Sequence, residues 1–237
     1  MKRTILLVAA GVFGALASSP ADILWDQPRE PGPDEIMIAS QVFPDFPGSP
    51  PPMDIFAFDD LVVDPAGWAM SRITIWGGEF LSGDPRENLD VLVAFYSDHD
   101  ITLNPLVGPF HGVLDRPGGS DTNLIFDFDP KESIAGGNYW MAAWVVRPFN
   151  VPPGGQWGWS RKASGVGFGD EYWVHNPGEG FGFGPDPLPG SDPVFHNPPF
   201  APADLAFMIE GQVVPEPASM LALGAGLALI AARRRRR

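Results

Sequence analysis

Proline and glycine punctuate this chain from end to end, 28 of each in 237 residues, and no amphipathic helical period appears between them. Proline removes a backbone donor and glycine adds backbone entropy, so neither sits cheaply inside a helix or a central strand. What fits between such residues is a short strand. Chains this rich in both residues approach low-complexity composition. Eight tryptophans and 17 phenylalanines nevertheless argue for a packed core.

The strand-like runs recur at short spacing. Ile55–Val63 ends at the turn Asp64-Pro65-Ala66-Gly67. Arg72–Trp76 alternates, with Ile73 and Ile75 on one face. Val91–Tyr96 is apolar on both faces. Asn123–Phe128 puts Leu124, Phe126 and Phe128 on one side, with Asp127 and Asp129 opposite. Tyr139–Val146 follows the Gly136-Gly137 turn and reads as a long buried strand; Trp157–Ser160 and Leu205–Glu210 complete the series. The pattern predicts an all-β fold, a single β-sandwich or jelly-roll-like domain over residues 55–212. Residues 18–54 form a proline-rich lead-in with a first edge strand over Glu35–Phe43. Residues 177–203 form a second Gly/Pro-rich stretch, long for a loop in a compact domain.

The termini read as addresses. Lys2 and Arg3, the apolar stretch Ile5–Leu16 and the small-x-small site Ala15-Leu16-Ala17 make a secretory signal peptide over residues 1–17. At the other end, Val214-Pro215-Glu216-Pro217 precedes the apolar run Ala218–Ala232 and then Arg233, Arg234, Arg235, Arg236 and Arg237. As a helix that run spans about 22 Å at roughly 1.5 Å per residue, against a bilayer core about 30 Å thick. It predicts a marginal transmembrane helix held by a cytoplasmic arginine cluster. Pro215 and Pro217 keep the motif out of helix and sheet pairing, which suits a processing enzyme.

This tail resembles the PEP-CTERM sorting signal, some forms of which carry the label of an ice-binding-protein C-terminal domain. The resemblance rests on the Val-Pro-Glu-Pro motif at 214–217, the helix at 218–232 and the arginine end at 233–237, within residues 213–237. It implies a Gram-negative bacterial protein, recognised by exosortase and associated with exopolysaccharide and biofilm. The middle of the chain resembles a β-sandwich domain recurrent in exported PEP-CTERM proteins. The matching pieces include Phe58-Asp59-Asp60-Leu61-Val62-Val63, Ile73-Thr74-Ile75-Trp76-Gly77-Gly78, Asn138-Tyr139-Trp140, Trp157-Gly158-Trp159-Ser160 and Asp204-Leu205-Ala206-Phe207. That resemblance brings no catalytic residues with it. An ice-binding role is not implied, since regular Thr-x-Thr arrays are missing.

Charge and composition narrow the chemistry. The chain carries a formal charge of −14, and seven basic residues (Lys2, Arg3, Arg233–Arg237) belong to the terminal signals, so the processed domain stands near −21. Nucleic acid is excluded as a partner, because its phosphates demand lysine and arginine. There is no cysteine, which excludes thiol catalysis and thiolate metal sites. Gly-x-Ser-x-Gly and His-x-x-x-His patterns are missing, and His99, His111, His175 and His196 are scattered. Trp140, Trp144, Trp157, Trp159, Tyr172 and Trp173 cluster in sequence, and Trp157, Trp159 and Trp173 are the candidates for stacking on sugar rings. Asp59-Asp60, Asp98 with Asp100, and Asp127 with Asp129 are the candidates for a calcium site, although the aspartate-rich loop of a calcium-binding motif is missing.

The sequence therefore points to an exported protein with no cofactor and no catalytic activity of its own. Its itinerary runs through the Sec translocon and signal peptidase, a transient inner-membrane anchor and exosortase, to the cell surface or the extracellular space. A lectin-like carbohydrate-binding module with the same itinerary is the alternative. A polysaccharide-modifying hydrolase is the third reading, and it requires paired carboxylates about 5–10 Å apart in a cleft.

Overall fold

The computed structural model describes residues 21–29, 36–46, 48, 50–81, 90–118, 121–149, 155–162, 165, 167, 169–195 and 201–214, with single positions at 224, 226, 230, 233 and 234. The signal peptide and nearly all of the C-terminal apolar run lie outside these residues. Among the described residues no helix is long and apolar enough to cross a membrane.

The described chain is all-β. In order the strands are β1 (Asp22–Gln27), β2 (Met37–Ala39), β3 (Gln41–Val42), β4 (Phe56–Val63), β5 (Trp68–Ile75), β6 (Gly77–Leu81), β7 (Asp90–Tyr96), β8 (Val107–His111), β9 (Val113–Gly118), β10 (Asp121–Ile134), β11 (Gly137–Val146), β12 (Gln156–Ser160), β13 (Trp173–His175), β14 (Leu188–Pro189) and β15 (Phe207–Val213). They form two open sheets, as a β-sandwich requires. The first runs β1-β15-β5-β10-β6-β12-β2, with β9 also on β10. The second runs β14-β13-β4-β11-β7-β8, with β3 beside β11.

The alternation read from the sequence explains the layers. In β4, Ala57, Leu61 and Val63 point to the inter-sheet core, while Phe56 and Phe58 point to the other face. In β11, Tyr139, Met141, Ala143 and Val145 face inward, and Ala142 and Trp144 face outward. The first sheet answers with Met70, Ile73 and Ile75 from β5, Leu124 and Phe126 from β10, and Phe207 and Ile209 from β15, all fully buried. Burying a side chain of this size stabilises by about 1.5–3 kcal/mol.

The lead-in is more structured than its prolines suggest. β1 pairs with β15 along its length, from Asp22↔Gly211 to Gln27↔Phe207. The edge strand expected over Glu35–Phe43 is split. β2 joins β12 in the first sheet, and β3 joins β11 in the second. Ser40 sits at the crossing, fully buried, with its hydroxyl donating to the Ala143 carbonyl and accepting from the Ala57 N–H. Among its described residues, the Gly/Pro stretch after residue 177 contributes only the short β14.

Close packing across β6 and β12 leaves no room at Gly77. A methyl group there would run into the Gly158 carbonyl and the buried Trp157 indole. Gly77→Ala is expected to destabilise the fold by about 1–3 kcal/mol, read as a lower urea midpoint with an unchanged m-value.

Candidate functional site

The sorting motif begins where the domain ends. Val213 is the last residue of β15 and pairs with Trp68. The Val214 N–H then donates to the Gly67 carbonyl at 2.9 Å. Pro215, Glu216 and Pro217 lie outside the described residues, as do Arg235–Arg237 and the cleavage residues Ala15 and Ala17.

The three candidate sugar-stacking tryptophans divide. Trp157 and Trp159 are 1% and 0% exposed, so neither can present a ring to a ligand. Both alternate inward from β12, with Gly158 between them. Their indole N–H groups donate to the Thr122 and Ala206 carbonyls, each at 2.8 Å. They are core residues, and the assignment of a carbohydrate surface to them is corrected. Trp173 differs. It lies on the outer face of the second sheet, half-buried, with the His99 ring stacked on it at 3.9 Å and 27°. His99 also meets Trp140 edge-on at 5.0 Å. The indole nitrogen of Trp173 is buried without a hydrogen-bond partner, and the Nδ1 of His99 lies 2.8 Å from Asp98 Oδ1.

Carboxylates flank this aromatic group. Asp60 pairs across β4 and β11 with Trp140. Its Oδ2 accepts a 3.3 Å hydrogen bond from the Asp170 N–H, and its Oδ1 has none. Burial is the first cause that pushes the Asp60 pKa up to about 6, and the charges of Asp204 and Asp170 add to it. Burial lowers the affinity of His99 and of His175 for a proton. The His175 Nδ1 accepts from the Ile101 N–H at 3.1 Å, which ties loop 97–106 over this face.

The acidic pairs read from sequence do not converge. Asp59 and Asp60 project to opposite faces of β4. Asp100 accepts from the Thr102 N–H and hydroxyl and lies 3.4 Å from His175. Asp127 accepts from Arg72 at 2.6 Å. Among the described residues no group of three or more His, Asp or Glu side chains is arranged to hold a metal ion.

A second cluster, unforeseen in the sequence, lies inside the sandwich. Asp59 faces inward from β4, 0% exposed, and its Oδ2 accepts from the Leu205 N–H at 3.0 Å. The Gln27 amide, oriented by its hydrogen-bond partners, donates to the same oxygen at 2.7 Å and to the Leu205 carbonyl at 2.6 Å. Asp204, also 0% exposed, accepts from the Gly167 N–H at 2.6 Å, and Lys162 Nζ lies 3.8 Å from the same Oδ2. Burial, then the charge of Asp204, holds the Asp59 pKa well above the usual carboxylate range. Beside the cluster opens a cleft of about 260 Å³ lined by Leu24, Trp25, Asp26, Gln27, Lys162 and Gly167. Its members stand at 27, 59, 162, 167 and 204, so no local motif announces them. The only sequence signal was an aspartate at an inward-facing position of an apolar strand.

Fold and tail together define a β-sandwich protein with a sorting signal at its C-terminus. That signal is the PEP-CTERM protein-sorting motif, whose family model matches residues 213–237. The motif indicates export by way of the cell envelope, with exosortase as the sorting partner. No curated protein and no solved structure matches the chain.

The Asp60 shift has a defined consequence. In the fold Asp60 keeps its proton up to about pH 6, whereas an unfolded aspartate releases it near pH 4. Between those values the folded state binds more protons than the unfolded chain, so this group makes stability fall as pH rises. The stability of Asp60→Asn relative to the parent is therefore expected to increase from pH 4 to pH 7 in urea titrations. A difference independent of pH would contradict the shift.

Proposed function

We propose that the processed chain is a non-catalytic protein of the cell surface or extracellular matrix, released from or attached by its sorting signal and associated with exopolysaccharide. The observation that carries this reading is the PEP-CTERM motif at 213–237, which follows the last strand of the domain directly. In this reading signal peptidase cuts after Ala17, and the run 218–232 holds the chain in the inner membrane until exosortase acts at Val214–Pro217. Acidity suits the destination: a domain near −21 stays soluble and is repelled from anionic surfaces, so neutral polymer is the fitting company. Mass spectrometry of the mature termini tests the itinerary. The form recovered outside the cell is expected to lack Arg233–Arg237, and replacing Pro215, Glu216 and Pro217 by alanine is expected to leave the full-length tail in the membrane fraction. An extracellular form that retains the arginines overturns it.

A carbohydrate-binding reading with the same itinerary draws support from the Trp140–His99–Trp173 group. Half-buried rings offer π-faces to the C–H faces of a sugar, and Asp60 and Asp170 beside them offer acceptors for hydroxyls. The double variant Trp140→Ala, Trp173→Ala is expected to lose most of the retention on the organism's own polysaccharide. Undiminished retention removes this reading while leaving the sorting itinerary intact.

A further inference from the structure

We propose that Lys162 and Asp204 condense within the folded domain to a side-chain amide, an intramolecular isopeptide bond between the segment that follows β12 and the segment that precedes β15, with Asp59 as the adjoining acid.

The backbone brings the two side chains together. The Lys162 N–H donates to the Asp204 carbonyl at 2.9 Å, and Arg161 bridges antiparallel to Leu205. Lys162 Nζ then stands 3.8 Å from Asp204 Oδ2. An amine and a carboxyl fixed this way react as one molecule, at an effective concentration far above any attainable in solution. Position 167 completes the approach. A Cβ there would collide with Lys162 Nζ, so the absence of a side chain at Gly167 is what lets the amine reach the carboxylate.

Burial supplies the driving force. Asp204 is fully buried and the Lys162 side chain is 13% exposed. A charged pair in such a place bears a large desolvation cost. The amide carries no charge, and the low water content of the core favours condensation over hydrolysis. The amide must still find hydrogen-bond partners, and the Gly167 N–H already points at Asp204 Oδ2 from 2.6 Å.

The atoms balance without any further reagent. The Lys162 ammonium passes a proton to the Asp204 carboxylate, giving neutral amine and neutral acid. The nitrogen lone pair attacks Asp204 Cγ, and the Gly167 N–H steadies the negative charge that develops on Oδ2. A C–N bond forms, the bond from Cγ to the other carboxyl oxygen breaks, and one water leaves. Nothing is oxidised or reduced. Asp59 is suited to relay the proton. Its carboxyl lies in the core, its Oδ1 is buried with no hydrogen-bond partner, and its charge is coupled to that of Asp204. The cleft lined by Lys162, Gly167 and Gln27 gives the departing water a way out.

Peptide mapping of the full chain tests the bond. No lysine or arginine lies between Lys162 and Arg233, so a trypsin digest of folded protein is expected to yield one looped peptide that begins at Lys162, contains Asp204 and is lighter by one water than its linear sequence. Trypsin should not cut after Lys162 in that species. Lys162→Arg, which keeps the positive charge, is expected to give only linear peptides. So is Asp59→Asn, which keeps the shape and hydrogen bonds of the site; far-UV circular dichroism verifies that both variants fold. Linear peptides cut after Lys162 in the folded parent protein overturn the proposal. A looped peptide that persists in Asp59→Asn overturns the role given to Asp59.

Discussion

One side chain sets the terms for the interior of this sandwich: the carboxyl of Asp59, aimed from β4 into an apolar core. A buried acid must be met by donors or keep its proton. Here the donors come from separate parts of the chain. Leu205 gives its backbone N–H, and Gln27 gives its amide from the edge strand β1. The segment 203–206 is thereby held between the layers. Tyr172 donates to Ala203, Leu205 leans on Asp59 in the second sheet, and Ala206 hydrogen-bonds Ser160 and Trp76 in the first. The polar cluster thus fixes how the sheets are joined at this end, which apolar packing alone does not specify.

The strands with the strongest periodicity were legible in the sequence. β4, β7 and β11 fall where alternation or a two-sided apolar run put them, because central strands bury a regular set of side chains, and β5 contains most of the run read over Arg72–Trp76 but begins earlier, at Trp68. Asn123–Phe128 was read correctly but is only the middle of the longer β10, which continues past an irregularity between Asp127 and Glu132. β1, β13 and β14 were not legible. They are short and near sheet edges, and their pairing is decided by partners far along the chain.

Trp157 and Trp159 show why local context misleads. They stand in a short strand-like run flanked by Gly/Pro-rich sequence and were candidates for an exposed sugar-stacking surface, yet their spacing of two is the strand period and both enter the core. Trp173 read much the same way but comes to the outer face, where His99 and Trp140 join it from distant segments. The inner cluster was invisible for the same reason: its residues share a place only after both sheets are formed. The PEP-CTERM motif was plain because its parts lie side by side in the chain.

The hydrogen bond from Val214 to Gly67 leaves no slack between the sandwich and its sorting motif. One residue reaches at most about 3.6 Å, so on the itinerary proposed above the rim bearing the Asp64–Gly67 turn would hang close to the lipid headgroups. β1 starts at this same rim, since Asp22 pairs with Gly211, and the two exits therefore stand side by side. On that itinerary the protease would have to work in the narrow gap between this rim of the sandwich and the membrane.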